Sequence, residues 1–243
     1  MISYLKGLDD CFSGFRMIFK PGARKFVIIP LMVNTGLFSA AIYIISQYVD
    51  SWLESLLPGW LAWLTWLIWP LFFVTILLLV FYSFTLVANL IAAPFNSLLA
   101  GRVEMNLTGQ QPVNINAEKI LSLAFARLAV RSVGAEVHKI FYFLIWLIPL
   151  CAVTLTPVIN IIAPFCWFVF AAWSLTLEYT EYPLANRGLL FSEVRQYNRE
   201  NRMRTLGLGT GIFILTSIPF VNFLAMPVAV AGATILTTKT SNQ

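Results

Sequence analysis

Four stretches of this 243-residue chain carry no Asp, Glu, Lys or Arg, and their lengths limit what it can fold into. Residues 26–49 make a charge-free run of 24, 55–101 one of 47, 140–177 one of 38 and 205–238 one of 34. About 20 consecutive apolar residues cross the hydrocarbon core of a bilayer as helix, so the pattern is that of a polytopic integral membrane protein. Composition agrees: 59% of residues are apolar and 11% charged, against roughly 25% charged in ordinary soluble domains. The opening MISYLKGLDDCFSGFRMIFKPGARK contains acids and no apolar stretch of signal-peptide length, so targeting is expected to come from the first span itself.

The basic residues fall into three blocks of five, within 6–25, 102–139 and 187–204, with Lys239 left over. Between the first two apolar runs lie Asp50 and Glu54 and no base, which by the positive-inside rule sets that connection outside and the three basic blocks on the other side. Each later run must therefore return to the side it left. For 140–177, allowing a turn, each arm has about 16 residues, roughly 24 Å of helix at 1.5 Å per residue. For 205–238 each arm has about 14, roughly 21 Å, whereas the core is about 30 Å thick.

Both runs contain a similar interruption. PVINIIAPF (157–165) and PFVNFLAMPV (219–228) each place Asn three residues after Pro, Ala three further and a second Pro close behind. Proline lacks an N–H and disfavours helix in the residue before it, so 157–164 and 219–227 read as tips of two partly inserted helical hairpins, with Asn160 and Asn222 capping the second arms. The competing reading is an ordinary kinked span with an Asn hydrogen-bonded between helices. Short Pro-interrupted segments in corresponding positions are the pattern that marks transport sites in repeat-built transporters.

The expected architecture is an all-α integral membrane protein forming one membrane domain over 1–243. It has two long transmembrane helices at 26–49 and about 70–101, re-entrant hairpins at 140–177 and 205–238, and basic cytoplasmic-side helical segments at 102–139 and 178–204. WLAWLTWLIWP, with Trp60, Trp63, Trp66 and Trp69 three apart, reads as an interfacial entry to the second span. Pro94 is expected to kink that span before it continues past Arg102 and Glu104. The 117–139 segment mixes charge and apolar residues at helical spacing and leads into the third run as a projecting helix.

Few classes of chemistry remain open. His138 is the single histidine and Cys11, Cys151 and Cys166 are scattered, which removes the usual metal clusters and a Ser-His-Asp triad. No cofactor, metal or nucleic-acid partner is expected. GLGTG (207–211) has no strand before it and no acidic partner after it, so it reads as close helix packing rather than a dinucleotide loop. KPGARK (20–25) places Pro21 and Gly22 where a helix would begin and Arg24 and Lys25 in its first turn. Free N–H groups beside two cations suit a small oxyanion; the plainer role for the two bases is snorkelling to lipid phosphates. Glu178, Glu181 and Arg187, with Arg102 and Glu104, mark either a pathway or mutual pairing.

Three segments, NLIAAPFNSLLAGRVE (89–104), EYTEYPLANRG (178–188) and SIPFVNFLAMPVAVAGAT (217–234), together resemble the bacterial CysZ sulfate permeases. The resemblance runs over nearly the whole chain. It implies a multi-pass inner-membrane protein, not an enzyme, that admits sulfate for cysteine synthesis through two long helices and two partly inserted hairpins, assembled as a homo-oligomer among membrane lipids. It also implies a sulfate site at the start of the first transmembrane helix, here Gly22, Ala23 and Arg24 followed by Lys25. Alanine stands where the family pattern has leucine, and a lysine lacks the planar two-donor fork of arginine. Arg102, Glu104, Asn160, Glu178, Glu181, Arg187 and Asn222 would then line or brace the path. No ATP-binding loop is present in the sequence, so transport is expected to run without ATP. A membrane scaffold without flux is the rival function, and a lipid-modifying enzyme ranks behind it.

Overall fold

A computed structural model describes residues 2–56, 65–109, 124–219 and 221–241, and among these the regular structure is entirely helical. In chain order the helices are α1 (Ile2–Ile18), α2 (Arg24–Leu56), α3 (Thr65–Thr108), α4 (Ala124–Leu155), a 3-10 turn (Ile159–Ile162), α5 (Ala163–Asn186), α6 (Phe191–Glu200), α7 (Arg202–Ser217) and α8 (Asn222–Ser241). Three stretches among the described residues are long and apolar enough to cross a membrane: Arg24–Ile44, Ile159–Asn186 and Asn222–Thr240. The chain divides into two compact units, residues 28–95 and residues 1–27 with 96–243.

The 28–95 unit consists of most of α2 and the first part of α3. Its large apolar side chains point outward, among them Met32, Ile42, Leu71 and Leu78. Thr35 and Thr75 donate their hydroxyls to the carbonyls of Leu31 and Leu71 in the preceding turn, 2.8 and 2.7 Å away, so neither needs water. That is the internal satisfaction hydrocarbon demands. Asp50 and Glu54, expected in a loop, lie on α2, which runs on to Leu56. Trp60 and Trp63 lie outside the described residues, while Trp66 and Trp69 belong to α3.

In the second unit α1 packs along α7 and α8, and α5 covers both of these. Glycine makes the approach possible. A Cβ on Gly7 would strike the Arg204 carbonyl, and one on Gly207 would strike that of Tyr4, so α1 and α7 cross backbone to backbone. Gly209 meets α5 in the same way at Ala172, Gly211 meets Cys11, and Gly14 and Gly232 bring α8 against α1. GLGTG is thus a helix-crossing surface. Cys11, wholly buried there, has its thiol pushed up to about 12 by burial and then by the neighbouring Asp10 charge, which keeps it neutral and unsuited to redox chemistry.

Two pairs of helices connect through tight turns. α4 lies beside α5: Trp167 Nε1 donates to Thr154 Oγ1 at 3.0 Å near the turn, and Trp173 Nε1 to the Tyr142 hydroxyl at 2.9 Å further down. Their junction holds Pro157, Val158 at φ 73 and the 3-10 turn, with Pro164 in the first turn of α5. α7 ends where Ile218 takes the extended backbone that Pro219 imposes, and α8 begins at Asn222.

Two expectations need correction. Pro227 is no boundary: it lies inside α8, where it removes a single helical hydrogen bond, so the break comes after Ser217 and before Asn222. Asn160 caps nothing with its side chain. It sits within the 3-10 turn, its carbonyl accepting the Ala163 N–H, and Ile162 precedes α5 without a side-chain cap. The extra helical turn moves the Asn away from the position where capping is possible.

The glycine crossings predict a sharp contrast. Gly207→Ala should destabilise the purified protein by about 1–3 kcal/mol or more, because a backbone and not a flexible side chain must give way. Gly36→Ala, whose Cβ meets nothing within 4 Å, should leave the thermal midpoint unchanged or slightly raised. Melting curves in detergent compare the two.

Candidate functional site

The anion-binding motif of the sequence sits where α1 hands over to α2. After Ile18 the Lys20 N–H reaches Met17 O (3.2 Å) and the Ala23 N–H reaches Lys20 O (3.1 Å), which winds the chain through a left-handed Gly22 at φ 85. Ala23 is fully buried, whereas Arg24 and Lys25, the first two residues of α2, are exposed. The Lys25 ammonium rests 5.2 Å from the centroid of the Phe26 ring. Its stem thus follows the apolar helix while its charge stays at the rim.

Arg102 comes to the same turn from α3. A Cβ on Gly22 would fall 2.5 Å from Arg102 Nε and 2.6 Å from Nη2, so the guanidinium occupies the space that only glycine leaves open. Gly22 is needed for its φ and for this contact alike. Arg102 Nη1 lies 3.6 Å from the Met105 sulfur, a weak acceptor, and the buried Nε has no hydrogen-bond partner among the described residues. Sequence reading placed Arg102 with the path residues and away from Gly22.

The remaining charges pair off. Arg187, at the end of α5, grips Glu104 Oε1 through Nε and Nη2, both at 3.0 Å, and reaches the Thr237 carbonyl and Thr238 hydroxyl of α8. Next to it Asn186 and Ser97 exchange hydrogen bonds, Asn186 Nδ2 donating to Ser97 O at 2.8 Å and Ser97 Oγ to Asn186 Oδ1. NSLLAGRVE, EYPLANRG and the end of α8 therefore meet at one junction. Lys139 of α4, 6% exposed, lies between Glu178 Oε2 (2.8 Å) and Glu181 Oε2 (2.9 Å) of α5. A third cluster joins α1, α7 and α8: Asp10, 1% exposed, receives Arg204 on Oδ2 (2.7 Å from Nη2) and Lys239 on Oδ1 (2.8 Å).

Of the predicted residues, Gly22, Ala23, Arg24 and Lys25 share one turn with Arg102. Glu104 joins Arg187, and Glu178 joins Glu181 through Lys139. Asn160 and Asn222 are exposed, and among the described residues no hydrogen bond links either to these charges. Sequence reading missed Asp10, Ser97, Lys139, Asn186, Arg204 and Lys239. Asp10 carried a usable signal, an acid at helical spacing from the small residues Gly7 and Gly14; the others show only once helices far apart in sequence have met.

Apolar helices with outward-facing side chains, internally bonded hydroxyls and charges paired across helices define an α-helical integral membrane protein. The chain belongs to the family described as sulfate transporter CysZ/etoposide-induced protein 2.4, whose model matches residues 10–227. It is similar to the sulfate transporter CysZ of Pseudomonas fluorescens (strain Pf0-1), 37% identical over 236 residues that cover 95% of this chain and 92% of the relative. The sulfate transporter CysZ of Pectobacterium atrosepticum is 40% identical over 234 residues, 95% and 83% of the two chains. That of Vibrio cholerae (strain ATCC 39541) is 36% identical over 239 residues, 97% and 94%.

The Asp10 cluster yields a stability prediction. Asp10→Asn leaves the mostly buried Arg204 without its counter-charge, an arrangement that costs about 3–5 kcal/mol when a buried pair is broken. Lys239, half exposed, should add little. The variant should melt well below the wild type in detergent and lose monodispersity on size exclusion, whereas Lys239→Ala should stay close to wild type in both.

Proposed function

We propose that this protein is a sulfate permease of the bacterial inner membrane, moving sulfate inward without ATP to supply cysteine synthesis. The observation that carries the reading is the similarity over at least 95% of the chain to proteins named sulfate transporter CysZ. The turn at Gly22, with Arg24 and Lys25 at the positive end of the α2 dipole, gives such an anion a place to be gathered at the membrane face. Sulfate carries two negative charges and four acceptor oxygens, which match cations and N–H donors and nothing acidic. The protein acts as a homo-oligomer in lipid, as the family resemblance implies.

Within this reading α4–α5 and α7–α8 are hairpins that enter the bilayer partway, and 102–139 and 178–204 lie on the cytoplasmic side. The first arms support it by their length, while the second arms, Ile159–Asn186 and Asn222–Thr240, are long and apolar enough to cross. From Ile140 to the end of α4 is 16 residues, roughly 24 Å, and α7 is also 16 residues, both short of a core about 30 Å thick. Side-chain exposure at the first turn supports it too: Leu155, Val158, Ile161 and Phe165 are 69–81% exposed, an apolar crown suited to hydrocarbon and not to water.

Liposomes containing only the purified protein should take up labelled sulfate without ATP. Uptake no faster than into empty liposomes, with folding confirmed by a cooperative melt, would reject the permease. Depth has its own check. In a background with Cys11, Cys151 and Cys166 replaced, single cysteines at Asn160 and Asn222 should react with an impermeant maleimide far more slowly than one at Ser51. Rapid labelling of both tips from the Ser51 side would mean complete crossings.

A further inference from the structure

Among the described residues no acid answers the charge of Arg102. Among the described residues it forms no salt bridge, its Nε is buried with no hydrogen-bond partner, and its one contact with an acceptor is the Met105 sulfur. Glu104, the acid two residues along the same helix, is turned to Arg187. A guanidinium removed from water at one of its nitrogens is costly unless something accepts its hydrogen bonds. It is nevertheless held against Gly22, within the turn that carries Arg24 and Lys25, neither of which forms a salt bridge either.

Arg24 and Lys25 follow the turn that Arg102 touches, and among the described residues none of the three has a carboxylate partner. Mutual repulsion disfavours like charges at one turn unless an anion joins them. We propose that Arg102 is a direct ligand of the sulfate held at the start of α2. This rests on the sulfate reading above and extends it to a residue from a different helix. Nε and Nη2 rest over Gly22 and form the edge of the guanidinium that suits bidentate contact with two oxygens of a tetrahedral oxyanion, which a small shift of the side chain off Gly22 would open to the ion. The arginine fork absent at Lys25 is thereby supplied by α3. Binding then links the beginning of α2 to the end of α3, so that an occupied site couples the two long helices.

Calorimetric titration of sulfate into wild type, Arg102→Lys and Arg102→Gln decides between ligand and packing roles. The expected result is a loss of affinity of roughly ten- to a hundredfold in Arg102→Lys, which keeps the charge but not the fork, and more in Arg102→Gln. In parallel, the rise in melting temperature that sulfate confers on wild type should shrink in both. A purely structural Arg102 would lower the melting temperature with and without sulfate alike and leave affinity intact; that outcome overturns the proposal. Absence of sulfate binding in wild type would instead reject the sulfate reading itself. Should the variants fail to assemble, wild-type crystals soaked in selenate give the answer: an anomalous selenium peak whose oxygens lie about 3 Å from Arg102 Nε or Nη2 supports the assignment, and a peak elsewhere overturns it.

Discussion

A carboxylate with almost no access to water holds the central helices in register. Asp10 on α1 receives Arg204 from α7 and Lys239 from α8, and each of its oxygens is engaged. A buried acid of this kind is tolerable only when it is paired, here above all by the mostly buried Arg204, because the desolvation cost of an unpaired ion exceeds any packing gain. The glycines around it share the requirement. Gly7, Gly14, Gly207 and Gly232 let the backbones of α1, α7 and α8 approach until the ion pairs can close. Close approach and charge pairing therefore depend on each other, as is usual where lipid offers no hydrophobic drive between helices.

The same logic operates at the ends of α4 and α5. Lys139, Glu178 and Glu181 bound an apolar run in the sequence, and in the fold they are each other's partners. The helices continue through the charged positions because pairing lowers the cost of bringing them near an apolar environment. Arg187 and Glu104 do this for α3, α5 and α8, with Asn186 and Ser97 alongside. Against this background of paired charge, Arg102, Arg24 and Lys25 stand out. Among the described residues they are cations without a carboxylate partner in a protein that otherwise pairs its interhelical ions.

Membrane class was legible in sequence because it depends on length and polarity alone, and hydrocarbon thickness is a fixed yardstick. The start of α2 was legible to within a few residues: Pro21 and Gly22 read as the helix start, but both lie in the turn before it and α2 begins at Arg24. The turns were legible in part: Pro157 and Pro219 impose extended backbone on their neighbours wherever they occur, whereas Pro227 lies far enough along α8 for neighbouring contacts to carry the helix through it. Asn160 failed as a cap because a 3-10 turn, which nothing in PVINIIAPF announces, separates it from α5.

Apolar run lengths, the separation of basic blocks and the glycines of GLGTG thus determined on their own that this is a helical membrane protein with tightly packed helices. They determine it because bilayer thickness and the absence of a Cβ act on each residue independently of the rest of the chain. Tertiary structure alone decided who pairs with whom: Asp10 with Arg204 and Lys239, Glu104 with Arg187, Arg102 with the open face of Gly22. Those contacts join residues up to 229 positions apart, and their geometry depends on how several helices cross, which no local pattern encodes.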